Sequence, residues 1–306
     1  MYTAWSLAYQ ALVKNPPEFY LKQRDLFLGD SEKLGTGTNA PDFVYRSEDI
    51  VAFNSLVTHS GNSGKEPAEL MMQSLVTVFL LRCLHHSGYL PAKTAANNSG
   101  AAAELLSADE LFFAAVLQRF MRVTFYNSHE MSRADSRNLE VTRIGRATNP
   151  SLALVNHSCY PNYRRLYVGN RTLAFATRPI PKGAEISDTY TQAFAVCPKQ
   201  ERLRALKKYN FVCDCRACAE DWPLLSELRL ERKKAALKDS EAKALAKTKA
   251  RVARAKSMEQ RFALQASYVQ ELFEFGGRAS AGCCPSAEMI EAEHELFRIM
   301  LAVTSV

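Results

Sequence analysis

Apolar residues recur at helical spacing through the first half of the chain and at strand spacing in its middle. Trp5 to Val13 reads as a short apolar helix, stopped by Lys14-Asn15-Pro16-Pro17 because paired prolines remove backbone donors and fix φ. Between residues 66 and 86, Leu70, Met71, Leu75, Val78, Phe79, Leu81 and Leu84 form a broad apolar face that predicts a helix packed on other helices. Pro91 to Ala103 is rich in Ala, Asn, Ser and Gly and reads as an exposed loop. Ser107-Ala108-Asp109-Glu110 has the S-x-x-E form of a capping box, in which hydroxyl and carboxylate each take a free N–H at a helix start. A second helix is expected from there to about Phe125.

The period then changes. Tyr163 to Val168 and Arg171 to Thr177 are β-rich runs separated by Gly169-Asn170, a pair that tolerates positive φ and predicts a tight hairpin. Pro179-Ile180-Pro181-Lys182-Gly183 ends the second run. Ala184 to Tyr190 reads as a short strand and Lys199 to Lys208 as a helix. Beyond them, Phe262 to Phe275 and Ala287 to Ala302 are amphipathic and separated by Gly276-Gly277 and a Gly-Cys-Cys-Pro turn.

Composition narrows the class. With 306 residues and 47% apolar content, the chain can bury a substantial core, as one domain with an appendage or two small domains. The longest apolar candidate, Leu75 to Leu81, contains Thr77 and stops at Arg82, well short of the roughly 20 residues that cross a bilayer. A soluble protein without a membrane role is expected. The first thirty residues show no basic, apolar and small-residue succession of a secretory signal, so an intracellular setting, cytoplasm or nucleus, is expected. The net charge of +7 sits almost wholly between residues 229 and 256, where 11 Lys or Arg face three acids. That segment lacks Gly and Pro and predicts one long helix. Contact with nucleic acid is conceivable there, but no aromatic residue lies between Trp222 and Phe262 to stack on bases, and a solvated helix face is the plainer reading.

The densest chemistry is a thiol cluster, Cys213-Asp214-Cys215-Arg216-Ala217-Cys218. C-x-C-x-x-C spacing brings three sulfurs within reach of one ion, and Zn²⁺ prefers four thiolate or imidazole ligands in a tetrahedron. Cys159 is the candidate fourth ligand. Cys83, Cys197 and the Cys283-Cys284 pair have no comparable spacing. A disulfide or unrelated buried thiols are the alternatives, the disulfide being disfavoured in a reducing compartment.

Asn156-His157-Ser158-Cys159-Tyr160-Pro161-Asn162, then Gly183-Ala184-Glu185-Ile186-Ser187-Asp188-Thr189-Tyr190, then Tyr209-Asn210-Phe211-Val212-Cys213-Asp214-Cys215 resemble the SET and post-SET segments of the SET-and-MYND protein lysine methyltransferases. Asn127-Ser128-His129-Glu130-Met131 is similar to the segment that precedes the SET core. His129, where many members have Phe, resembles the arthropod-type, tetratricopeptide-bearing branch. The likeness implies an α+β fold, with a β-rich SET core threaded as a pseudoknot. It divides the chain into an N-terminal remnant (1–65), a helical SET insertion (66–135), the SET core (136–192), a post-SET zinc segment (193–222) and a C-terminal helical, tetratricopeptide-like region (223–306).

The same resemblance implies an S-adenosylmethionine-dependent protein lysine N-methyltransferase with structural zinc on Cys159, Cys213, Cys215 and Cys218. Tyr190 would place its hydroxyl near the transferring methyl, and Asn127, Asn156 and His157 would contact the cofactor. Phe211 would stack on the adenine. Tyr209 and His129 would line the lysine channel, His129 making that wall more polar. The implied partners are a protein substrate and proteins docking on the C-terminal helices. The family's Gly-x-Gly strand and MYND module have no counterpart, since the first 82 residues hold no cysteine and Gly35-Thr36-Gly37 follows no strand-like run. A form starting beyond the MYND module is therefore expected. The alternative function is a catalytically inactive, zinc-stabilised SET scaffold acting in protein–protein interaction.

Overall fold

The computed structural model describes residues 2–28, 50–56, 58, 67–91, 106–169, 171–231, 237–279 and 284–304. Gly35-Thr36-Gly37, residues 92–103 of the Ala/Asn-rich loop, Asn170 and Cys283 lie outside the described residues. The chain forms two compact units, Met1–His129 with Arg146–Leu154, and Glu130–Gly145 with Val155–Val306.

The first unit is helical: α1 (Tyr2–Leu12), α2 (Pro17–Leu21), α3 (Arg24–Leu28), α4 (Ile50–Asn54), α5 (Pro67–His86) and α6 (Ala108–Asn127). Pro17 opens α2 at a position whose N–H would have no helical partner anyway. The expected capping box starts α6, with Glu110 N donating to Ser107 Oγ at 3.2 Å and Ser107 N to Glu110 Oε2 at 2.8 Å. This helix is the axle of the unit. Phe113, Val116, Leu117, Phe120 and Val123 are fully buried on it, against α1, α3, α4 and α5, and Thr124 Oγ1 ties it to α1 by donating to Ala4 O at 2.9 Å.

Helix α5 departs from expectation in the face it buries. Val76, Thr77, Leu80, Leu81 and Leu84 are covered, whereas Met71, Leu75, Val78 and Phe79 are exposed. The helix is apolar nearly all round, so periodicity alone cannot select the stripe that α6 covers. It is also long and apolar enough, by length and composition, to cross a membrane. The run-length reading, interrupted at Arg82, does not register this.

The second unit joins short strands to helices. Strands β1 (Ser128–Ala134) and β2 (Val141–Thr148) form one two-stranded sheet; β3 (Asn156–His157) pairs with β6 (Ser187–Asp188), and β4 (Tyr163–Val168) with β5 (Arg171–Ala176). The expected hairpin forms with Tyr163 opposite Ala176 and Val168 opposite Arg171, and Gly169 at φ +58° makes the turn. Of Ala184 to Tyr190 only Ser187–Asp188 is strand, so the β content is small and the fold is mixed and helix-dominated.

Helix α7 (Lys199–Leu206) runs into a 3-10 turn, Lys207–Tyr209, closed by Asn210 in the left-handed region. Then come α8 (Arg216–Ala219), α9 (Leu225–Glu231), α10 (Asp239–Ala253), α11 (Met258–Ala279) and α12 (Ala287–Val303). The basic segment is therefore not one helix. Lys238 is extended, and its N–H is capped by Glu241 Oε2 at 3.0 Å, which starts α10 afresh. Helix α12 enters three hydrophobic clusters. Ile290 joins the cysteine core, Ile299, Leu301 and Ala302 pack with Ala134, Leu139 and Leu166, and Met289 and Ala292 meet Leu245, Tyr268, Val269 and Leu272.

Candidate active site and metal centre

Two short segments meet in parallel to build the site. Asn156 lies beside Ser187 and His157 beside Asp188. Asn162 clamps the crossing: its Nδ2 donates to Glu185 O at 2.8 Å, its Oδ1 accepts from Ser187 N at 2.9 Å, and its backbone N reaches Ser187 O at 3.3 Å. Pro161 before it holds the segment extended. The polar residues of this stretch thus fix the backbone that presents His157 and Tyr190.

His157 Nδ1 accepts from Tyr190 N at 2.9 Å, which assigns its proton to Nε2, and Nε2 faces Cys159 Sγ at 3.4 Å. Burial, first of all, lowers the pKa of this imidazole, so its neutral form is favoured. Tyr190 donates its hydroxyl to Val155 O at 2.8 Å. Burial, then the nearby Asp188 carboxylate, pushes that hydroxyl up to about 12, so at neutral pH it is a donor and not a base.

Four of the sequence-predicted residues form one aromatic cluster. Tyr190 lies 4.9 Å from Tyr209, 5.3 Å from His157 and 6.3 Å from Phe211 between ring centroids, and His157 lies 6.0 Å from Phe211. Phe211 keeps part of its ring open to solvent, at 37% exposure. Asn156 is exposed at the edge and donates to Glu185 Oε1 at 2.7 Å. Asn127 and His129 belong to the first unit, where Asn127 is buried and donates to Val123 O at 2.8 Å.

The cysteines test whether a metal fits. Cys159 Sγ lies 3.5 Å from Cys218 Sγ and 4.0 Å from Cys213 Sγ, and all four sulfurs lie within 4.8 Å of one another. A tetrahedron with metal–sulfur bonds of about 2.3 Å has edges of about 3.8 Å, so the spacing suits Zn²⁺. No disulfide links the described cysteines. A hydrogen bond from the Cys159 side chain, with backbone hydrogen bonds, lowers the pKa of the Cys215 thiol.

A second fit comes from a residue that periodicity does not flag. Arg202, 1% exposed, directs Nε to Cys159 Sγ at 3.2 Å, Nη2 to Cys218 Sγ at 3.6 Å and Nη1 to Cys197 O at 2.5 Å. Among the described residues it forms no ion pair with a carboxylate. A buried cation aimed at sulfur matches a thiolate centre, and the residues present fit zinc. The signal for Arg202 was its place four residues before Leu206, on the buried face of a short helix where an apolar residue is the norm.

Asp188 was also missed as a site-forming residue. Only 2% exposed, it accepts from Arg165 Nη1, from Tyr163 Oη at 3.3 Å and from Thr189 N at 2.7 Å. It anchors the strand end two residues before Tyr190. The pair borders a small cleft of about 70 Å³ with Arg164, Tyr167, Thr189 and Phe297 on its walls.

Comparison with known proteins identifies the family. The SET domain profile matches residues 35–191, just over half of the chain. N-lysine methyltransferase SMYD2-B of Danio rerio is 38% identical over 80 residues, 26% of this chain and 18% of that protein. Histone-lysine N-methyltransferase SMYD3 of Mus musculus is 35% identical over 82 residues, 26% of this chain and 19% of that protein. N-lysine methyltransferase SMYD2 of Gallus gallus is 36% identical over 80 residues. The chain thus spans less than a fifth of the length of these curated relatives.

Proposed function

Because this chain belongs to the SET domain family, we propose that it transfers a methyl group from S-adenosylmethionine to a lysine side chain of a protein, with Tyr190 at the reacting centre. The observation that carries this reading is the convergence of His157, Tyr190, Tyr209 and Phe211 in one aromatic cluster beside the four-cysteine centre.

The cofactor supplies a methyl group on a sulfonium that leaves readily, so the protein's task is orientation and exclusion of water. Tyr190 and Tyr209 give the substrate amine an apolar, aromatic approach. Desolvation there disfavours the ammonium form, and the neutral amine is the form that attacks. The Tyr190 hydroxyl keeps its proton and its bond to Val155 O, which holds the ring in place. By the resemblance of their motifs, Asn127, Asn156 and His157 would bind the cofactor. The open face of Phe211 suits stacking on an adenine. Cys159, Cys213, Cys215 and Cys218 would hold Zn²⁺ as a fold-forming ion, and folding that loop fixes where Phe211 points. His129 would line the lysine channel.

Helices α10 to α12 are proposed to be the start of a tetratricopeptide-like array that takes protein partners, in an intracellular compartment where thiols stay reduced. Arg229 and Lys249 of the basic segment pair with Glu291 and Glu288 on α12, which favours this over nucleic acid. The test is calorimetry with S-adenosylmethionine on the folded, zinc-loaded chain, followed by methyl transfer to lysine-containing protein with wild type and Tyr190→Phe. Binding, with transfer lost in the variant, is expected. A folded, zinc-loaded chain that binds no cofactor would instead be the non-catalytic scaffold.

A further inference from the structure

Arg202 is among the largest of the fully buried side chains in the described residues, and its polar partners there are two sulfurs and one carbonyl. Burying a guanidinium without a nearby anion is costly. Neutral thiols are weak acceptors and do not offset that cost, whereas a zinc ion with four thiolates carries a net charge of −2. One arginine halves it.

Building on the zinc reading above, we propose that Arg202 is the positioning residue of the metal centre. Its N–H groups bond Cys159 and Cys218 thiolates, balance part of their charge and thereby set how tightly zinc is retained. The arrangement is directional. Nε and Nη2 reach two different sulfurs while Nη1 is held by Cys197 O, so the planar fork fixes the spacing between the ligand contributed by the Asn156–Asn162 segment and one contributed by the C-x-C-x-x-C loop. His157 Nε2 adds a third N–H toward Cys159 Sγ. Cys159 thus meets two donors, one from its own segment and one from α7. Leu206, fully buried one turn along α7, keeps the helix seated against the same core. Contacts beyond the ligands orient the first shell and tune its donor strength, and their loss typically weakens metal binding about 10–100-fold.

The experiment compares wild type, Arg202→Lys and Arg202→Met as full chains. Zinc content is measured first, then the rate of zinc transfer to the chromophoric chelator 4-(2-pyridylazo)resorcinol, then the sulfur-to-cobalt charge-transfer band after Co²⁺ substitution. Removing N–H bonds makes thiolates stronger donors, so that band is expected at lower energy in Arg202→Met. Zinc release is expected to be about 10–100-fold faster. Arg202→Lys keeps the charge but not the fork and is expected to fall between the two; it carries the test if Arg202→Met does not fold. Release within twofold of wild type and an unshifted cobalt band in the folded variants would overturn the proposal while leaving the zinc reading intact. Wild type holding well under one zinc per chain would overturn both.

Discussion

Asp188→Ala is the most informative single change in the body of the protein. The carboxylate is 3% exposed and its partner Arg165 17%, so water screens their attraction little. The substitution removes the acceptor for Arg165, for the Tyr163 hydroxyl and for Thr189 N–H at once, and leaves a guanidinium buried without its anion. Breaking one side of a buried pair costs about 3–5 kcal/mol. That is a large part of the about 5–15 kcal/mol that stabilises a typical native state. Replacing both partners differs in kind, since an apolar pair of similar volume is often close to neutral. Arg165→Met with Asp188→Ala is therefore expected to recover most of the loss. Urea unfolding followed by far-UV circular dichroism measures both, provided the slope with denaturant is unchanged. A loss below about 1 kcal/mol for Asp188→Ala, or a double variant no more stable than the single one, would refute the charge argument and reduce Asp188 to a packing residue.

Three further outcomes are expected. With its hydroxyl pushed from the ordinary 10.0 up to about 12, Tyr190 contributes stability that is fully present below pH 10 and lost as pH rises through about 12; the tyrosinate absorbance missing from Tyr190→Phe should therefore appear only near that upper value. Gly183 sits at φ +84° with open space where a Cβ would go, so Gly183→Ala should lose about 1–2 kcal/mol from backbone strain alone, and a neutral result in urea would dismiss that cause. Ser107→Ala removes the hydroxyl that accepts from Glu110 N and should cost about 1 kcal/mol, read as a lower melting temperature, with Ser107→Asp restoring it.

Signals confined to a few residues were legible in the sequence. The Ser107–Glu110 cap, the hairpin at Gly169 and the four-cysteine set needed only local spacing or a strong chemical preference, and the members of the aromatic cluster were named through their resemblance to a known family's motifs. Tertiary partners decided the remainder. On α5, Leu75 and Phe79 are as apolar as Leu80 and Leu84, and only the position of α6 decides which pair is covered. The basic segment has helix-forming residues throughout, yet Glu241 caps Lys238 and a new helix begins. Nothing in the neighbourhood of Arg202 and Asp188 along the chain announces that their partners are sulfur and Arg165.

Helix α12 puts the order of biosynthesis into the fold. Tyr160 bonds Glu293 across 133 residues, and Arg298 bonds Leu139 O across 159. A ribosome that has just released Cys218 has made all four cysteines of the candidate metal centre, but not Ile290, which joins their core, nor Ile299 and Leu301, which pack with Leu166. On the zinc reading proposed above, the emerging chain takes its metal early and then waits, with Leu166 uncovered, for the helix that seals it. A nascent chain stalled before Ala287 should hold zinc yet be cut readily by protease around β4 and β5. Resistance equal to that of the released protein would show that α12 seals nothing.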